Sequence, residues 1–163
     1  MIEMQNMLQE RRESGTFGAA VFILDDKNRV FTFIEQEDKP RTGKRVGDYS
    51  VLCETREPGE NSTVNMLRGV NEELGVPYNH IKEIIDLHDV KVWETGFMPG
   101  VWATVYVLRC KDTDKFSQSI GTGGIPDGVT MGGWKTRQEL EELPVRVGVK
   151  NILDKFAEDI FEQ

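Results

Sequence analysis

Apolar and polar positions along the chain change period several times, and each change marks an element. Residues 16–24 (TFGAAVFIL) form a β-rich run, the polar turn Asp25-Asp26-Lys27-Asn28 interrupts it, and 29–34 (RVFTFI) returns as a second strand, so a hairpin is expected. Residues 1–13 space Ile2, Met4, Met7 and Leu8 as a short amphipathic helix. Between 61 and 75 the period lengthens: Val64, Leu67, Val70 and Leu74 recur every three or four residues and predict a helix with one buried stripe. Asn61 or Ser62 can cap its start, and Gly75 can end it. Residues 81–93 and 101–110 (VWATVYVLRC) read as further strands. Residues 145–162 read as a closing amphipathic helix with Val149, Ile152, Leu153, Phe156 and Ile160 inward. No repeat or linker divides the sequence, so 1–163 is expected to be one domain.

Two segments lack periodicity. Residues 37–47 carry Lys39, Arg41, Lys44 and Arg45 beside Pro40 and Gly43, an exposed loop whose basic cluster is either solvated or set to meet phosphates. Residues 111–128 are long, polar and Gly-rich, which inside a compact domain marks function or mobility. No Gly-Lys-Ser/Thr follows those glycines, so they do not make a P-loop.

Composition narrows the function. With 38% hydrophobic and 29% charged residues, the chain has the balance of a soluble globular protein. A net charge of -8 argues against binding a nucleic-acid polymer, which needs a basic face. It leaves room for a small nucleotide, whose charge a metal and a few cations can meet. Cys53 and Cys110 suit neither a disulfide framework nor a zinc site. The first residues contain no apolar run of signal or membrane-span length, so no membrane association and a cytoplasmic location are expected.

The chemistry concentrates on the helix. Arg68, Gly69, Glu72 and Glu73 are expected on the side opposite the apolar stripe, where two adjacent carboxylates repel. Such a pair is either solvated or bridged by a hard cation, and Mg²⁺ typically takes one or two carboxylates plus substrate phosphates. The whole stretch 51–76, VLCETREPGENSTVNMLRGVNEELGV, resembles the signature of the Nudix hydrolases, G-x5-E-x7-R-E-U-x-E-E-x-G-U with U aliphatic. Glu60, Arg68, Val70, Glu72, Glu73, Gly75 and Val76 fall on it, seven of nine specified positions, and Glu57 and Gly59 fit its common E-x-G-E opening. Two positions depart from it: the opening glycine is Glu54, and the glutamate after the arginine is Gly69.

The resemblance implies an α/β/α sandwich with a mixed sheet, and hydrolysis of a nucleoside diphosphate linked to another moiety with Mg²⁺ or Mn²⁺. It implies that Glu72 and Glu73 hold the metal, that the Cys53 carbonyl adds a ligand, and that Arg68 and Glu60 orient the carboxylates by ion pairing. The family's third helix carboxylate is missing at Gly69. Glu54 is one candidate to replace it. Asp127 is the other, standing before residues 129–143, which look like the family's late strand and short helix; a turn aspartate beside Gly128 explains it equally. Gly69 also favours a second possibility, a catalytically impaired domain that binds a nucleotide or a protein partner. The resemblance further implies a possible homodimer, since dimers are common in the family. His80 and His88 are expected at the surface or in strands. Trp93, Trp102 and Trp134 are expected in the core or stacked on a base.

Overall fold

The computed structural model describes residues 16–120 and 128–161, so the helix expected at 1–13 and Asp127 both lie outside the described residues. In chain order the elements are β1 (Thr16–Leu24), β2 (Val30–Glu35), a 3-10 turn (Pro40–Thr42), β3 (Tyr49–Ser50), β4 (Leu52–Thr55), α1 (Ser62–Leu74) and α2 (Tyr78–Ile84). There follow β5 (Ile85–Met98), β6 (Val101–Cys110), α3 (Thr113–Ser119), β7 (Val129–Lys135), α4 (Arg137–Glu142) and α5 (Val147–Ile160).

β1 explains the layering. Ala19, Val21 and Ile23 enter one core while Ala20, Phe22 and Leu24 enter another, because alternate residues of a strand point to opposite faces. A strand without a polar face must be covered on both sides. Met66, Val70 and Leu74 of α1, Ile81 and Ile84 of α2 and Phe116 of α3 cover the first. Leu140 of α4 with Val149, Ile152 and Ile160 of α5 cover the second. β1 runs parallel to β6, which pairs antiparallel with β5. Its other edge is divided: residues 18–21 pair antiparallel with β4, and Leu24 faces Val30 of β2. β2 in turn carries β3 and β7. The result is a mixed sheet between helical layers, as expected.

The structure corrects three details. Val64 is 47% exposed, and the face of α1 that meets the sheet runs through Asn65, Met66, Gly69, Val70 and Leu74. Gly69 and Glu73 therefore face the sheet instead of standing opposite the buried stripe. Residues 81–84 belong to α2, with Ile81 and Ile84 one turn apart in the core, and the strand begins only at Ile85. The stretch 111–128 is not all loop. Asp112 accepts a hydrogen bond from the Lys115 amide and starts α3, whose Phe116 packs its ring at 5.3 Å from Phe31 and from Trp134. Among the described residues no helix is long and apolar enough to cross a membrane.

Candidate metal and phosphate site

Local chemistry fixes α1 onto the end of β4. The Asn61 side chain accepts from the Val64 amide at the helix start, and Gly75, at φ 64°, ends the helix in the left-handed conformation. Buried Asn65 donates its amide to the carbonyls of Glu54 and Thr55 at 3.2 and 3.3 Å, which holds the strand end against the helix. The Arg56 amide donates to the Phe17 carbonyl of β1, so by antiparallel alternation the carbonyls of Cys53 and Thr55 turn toward the other edge of β4. Arg68 takes that of Thr55 at 2.7 Å, and Cys53's lies along the same edge.

Arg68 is the hub. Its Nε and Nη2 reach both oxygens of Glu60 at 2.7 and 3.0 Å, a bidentate pair, while Nη1 lies 3.0 Å from Glu54 and 3.1 Å from Glu72. Its hydrogen bonds to Glu60 hold that carboxyl down at about 2 and raise the guanidinium's own pKa. The loop Glu57–Glu60 is thus pinned to the helix, with the Glu57 amide donating to Glu60 at 2.8 Å.

Glu54 and Gly69, the two departures from the expected pattern, touch each other. A Cβ on residue 69 would lie 3.0 Å from the Glu54 Cβ and 3.0 Å from Leu52 Cδ2, so the stem of Glu54 crosses the helix where Gly69 leaves room. From there the Glu54 carboxyl meets Arg68 and hydrogen-bonds Glu73. Burial, followed by the charge of Glu54 and that hydrogen bond, pushes Glu73 up to about 7. Glu72, its side chain half exposed, is held by Arg68.

As they stand, no three His, Cys, Asp or Glu side chains among the described residues are arranged to hold a metal. The Arg68 guanidinium lies between Glu54 and Glu72. The donors that a hard divalent cation takes are oxygens, and Glu54, Glu72 and Glu73 offer those.

Glu54 and Glu73 line a cleft that is open to solvent. Lys39, Lys44 and Arg146 bring cations to it, and Phe97 and Trp102 bring aromatic rings. Arg146 is almost fully buried: Nε and Nη2 donate to the Thr42 carbonyl at 3.0 and 2.7 Å, and the guanidinium sits 4.9 Å from the Phe97 ring centre. It also lies 3.8 Å from buried Glu35, whose carboxyl burial pushes up despite the opposing charges of Lys44 and Arg146.

The structure thus gathers Cys53, Glu54, Glu60, Arg68, Glu72 and Glu73 from the expected set, and from the basic loop Lys39 and Lys44. Arg45 pairs with Asp48 at 3.1 Å instead, and Arg41 does not line the cleft. Of the tryptophans, Trp102 reaches the cleft; Trp93 packs on Phe156 and Trp134 on Phe31. His80 and His88 are exposed on α2 and β5. Burial raises the Cys53 thiol, which lines the cleft. Arg146, Glu35 and Phe97 were not anticipated. The one signal for Arg146 was a cation between valines in PVRVG, at a helix start.

No family model and no curated protein matches the sequence. Solved structures match the fold. A NUDIX hydrolase from Nitrosomonas europaea aligns over 89% of this chain and 90% of its own, with TM-score 0.56 and 16% identity. A MutT structure from work on the Aliivibrio salmonicida and Vibrio cholerae proteins aligns over 90% and 96%, with TM-score 0.54 and 15% identity. A chain from the complex between the C-terminal domain of mouse MUTYH and human PCNA aligns over 88% of each, with TM-score 0.57 and 15% identity. At such identities the likeness establishes the fold, the α/β/α sandwich seen in Nudix hydrolases.

Proposed function

We propose that the chain is a pyrophosphohydrolase that uses Mg²⁺ or Mn²⁺ to hydrolyse a nucleoside diphosphate linked to another moiety. The observation that carries this reading is one cleft lined both by two acids, Glu54 and Glu73, and by three cations, Lys39, Lys44 and Arg146. A diphosphate bridged to a divalent cation complements both sets of charge. Glu72, Glu73 and the Cys53 carbonyl are the metal ligands in this reading, with Glu54 or Asp127 making good what Gly69 lacks. Asp127 is also a candidate base. Bound there, the cation supplies charge neutralisation on the diphosphate and a more acidic water.

The chain's own residues do the rest. Lys39 and Lys44 meet phosphate oxygens, while buried Arg146 holds the Thr42 carbonyl and the cleft floor in place. Trp102 and Phe97 offer aromatic faces to a base. Arg68 and Glu60 keep β4 and α1 in register, and with them Glu54 and Glu73.

The test is hydrolysis of a panel of nucleoside diphosphate derivatives with Mg²⁺ or Mn²⁺ by wild type and Glu73→Gln. Cation-dependent cleavage abolished by the substitution is the expected result. The second reading, a binding domain without catalysis, is favoured by Arg68 engaging both Glu54 and Glu72. An inert wild type that still binds a nucleotide would select it.

A further inference from the structure

We infer that residues 39–44 form an anion-binding arm: Lys39 and Lys44 take a diphosphate without help from a metal, and Arg146, at the start of α5, is the positioning residue that aims them. The inference rests on reading the cleft as a phosphate site and deepens it by naming what sets its cations in place.

The arm closes on itself. Lys39 and Lys44 form an isolated antiparallel bridge, each amide donating to the other's carbonyl at 3.0 Å, and the Val46 amide donates to Asp38 at 3.0 Å just outside it. Residues directly opposite on such a bridge send their side chains to the same side, so two like charges stand together, and both lysines line the cleft. Like charges so placed are destabilising. Lys39 has relief from Glu37, 3.1 Å away at an exposed position, whereas among the described residues Lys44 forms no ion pair. A bound anion removes the repulsion, and a diphosphate offers one charged group to each lysine.

The grip on the arm comes from two consecutive residues holding two others. Arg146 donates Nε and Nη2 to the Thr42 carbonyl at 3.0 and 2.7 Å, and Val147 packs where Gly43 lacks a side chain, since a Cβ there would lie 2.5 Å from Val147 Cγ1. Gly43, at φ 73°, makes the left-handed turn that leads to Lys44. Spending a buried guanidinium on a neutral carbonyl is costly: Arg146 is 4% exposed, and Glu35 stands 3.8 Å from Nη1, beyond hydrogen-bond length. What the fork gains is geometry, because it fixes the backbone two residues before Lys44. Its own place is fixed by the Phe97 ring and by the Arg146 amide, which donates to the Tyr49 carbonyl at 2.8 Å. Beside this grip the buried Thr42 hydroxyl has no partner among the described residues, although Thr42 lines the cleft, which leaves a donor for a ligand oxygen.

The probes are ADP and inorganic pyrophosphate, each in a chelator, with affinity read by calorimetry. Wild type should bind both. Lys44→Ala should weaken each about tenfold, the loss of one charge-assisted contact, and the more exposed Lys39→Ala about threefold. Arg146→Gln should also weaken each about tenfold, yet cost no more than about threefold in a Lys44→Ala background, because a positioning residue acts through the lysine it aims. Arg146→Lys, which keeps the charge without the fork, should stay nearly as weak as Arg146→Gln. Gly43→Ala disturbs the arm from the Val147 side with no change of charge, should show the same lack of additivity, and keeps the test decisive if α5 does not tolerate losing its arginine. Wild type taking up neither probe, full additivity with Lys44→Ala, or Arg146→Lys binding like wild type would overturn the assignment, as would substitutions that weaken ADP and leave pyrophosphate unchanged. Failure of the functional reading is a separate result: ADP held by the arm in chelator, while no nucleoside diphosphate derivative is hydrolysed once Mg²⁺ or Mn²⁺ is supplied.

Discussion

Replacing Glu73 with glutamine should stabilise the metal-free protein at pH 8 and leave it unchanged near pH 4. In an unfolded chain this carboxyl titrates near 4.5; in the fold, burial and the neighbouring Glu54 hold it at about 7. Between those values the folded protein keeps a proton that the unfolded chain has released, so this group's contribution to stability falls as pH rises through the window. Below the window both states are protonated and nothing is lost. The rise from 4.5 to about 7 corresponds to at most about 3 kcal/mol at 1.36 kcal/mol per pH unit. The side chain keeps some contact with solvent, and screening brings the expected effect to about 1–2 kcal/mol. Glutamine resembles the protonated acid and can still bond Glu54, so it escapes the penalty. Urea denaturation in a chelator at several pH values from 4 to 8 reads the difference directly. The variant should gain on wild type steadily from about pH 4.5 and level off above about 7.5. Saturating Mn²⁺ should reverse the order, since only wild type gains binding free energy. A difference that is flat with pH, or a variant less stable than wild type at pH 8 without metal, would refute the reasoning.

Other expectations follow from the same geometry. Arg68→Gln and Glu60→Gln should each lower the thermal midpoint, and the double variant should be no worse than Arg68→Gln, because the two groups act as one pair. The Glu60 effect should be full above pH 4.5 and vanish as pH falls through about 2, where the native carboxyl takes up its proton. Lys44→Ala should raise KM for a diphosphate substrate about tenfold with little change in kcat, the signature of lost ground-state phosphate contact. Gly148→Ala should cost about 2–3 kcal/mol in chemical denaturation, because its Cβ would fall on the Phe97 ring where α5 crosses β5.

What the sequence disclosed was local, and what it concealed depended on register between distant segments. The Asn61 cap and the Gly75 stop lie at the ends of one helix, so local residue preferences exposed them, whereas the Arg68–Glu60 pair was expected only from the family resemblance. The two-sided burial of β1 was only half visible, because a continuous apolar run does not say which residues go to which face. α1 was placed correctly but turned wrongly: counting only aliphatic residues put Val64 inside, whereas the helix packs on β4 through Met66, Gly69 and Val70. The same turn hid the contact between Gly69 and Glu54, which reads from sequence as two separate departures from a pattern. α3 escaped notice because one residue, Phe116, carries its packing within an otherwise polar stretch. Arg146 escaped because a lone arginine beside valines is usually a surface residue; its partners, the Thr42 carbonyl and Glu35, lie more than a hundred residues earlier.

The most direct measurement is anomalous diffraction from crystals soaked with Mn²⁺ and a non-hydrolysable nucleoside diphosphate derivative. The expected result is a manganese peak roughly 2.2 Å from carboxylate oxygens of Glu72 and Glu73, with Glu72 turned away from Arg68 and the diphosphate facing Lys44. A nucleotide bound in the cleft with no manganese at those carboxylates, and Arg68 still joining Glu54 to Glu72, would contradict it.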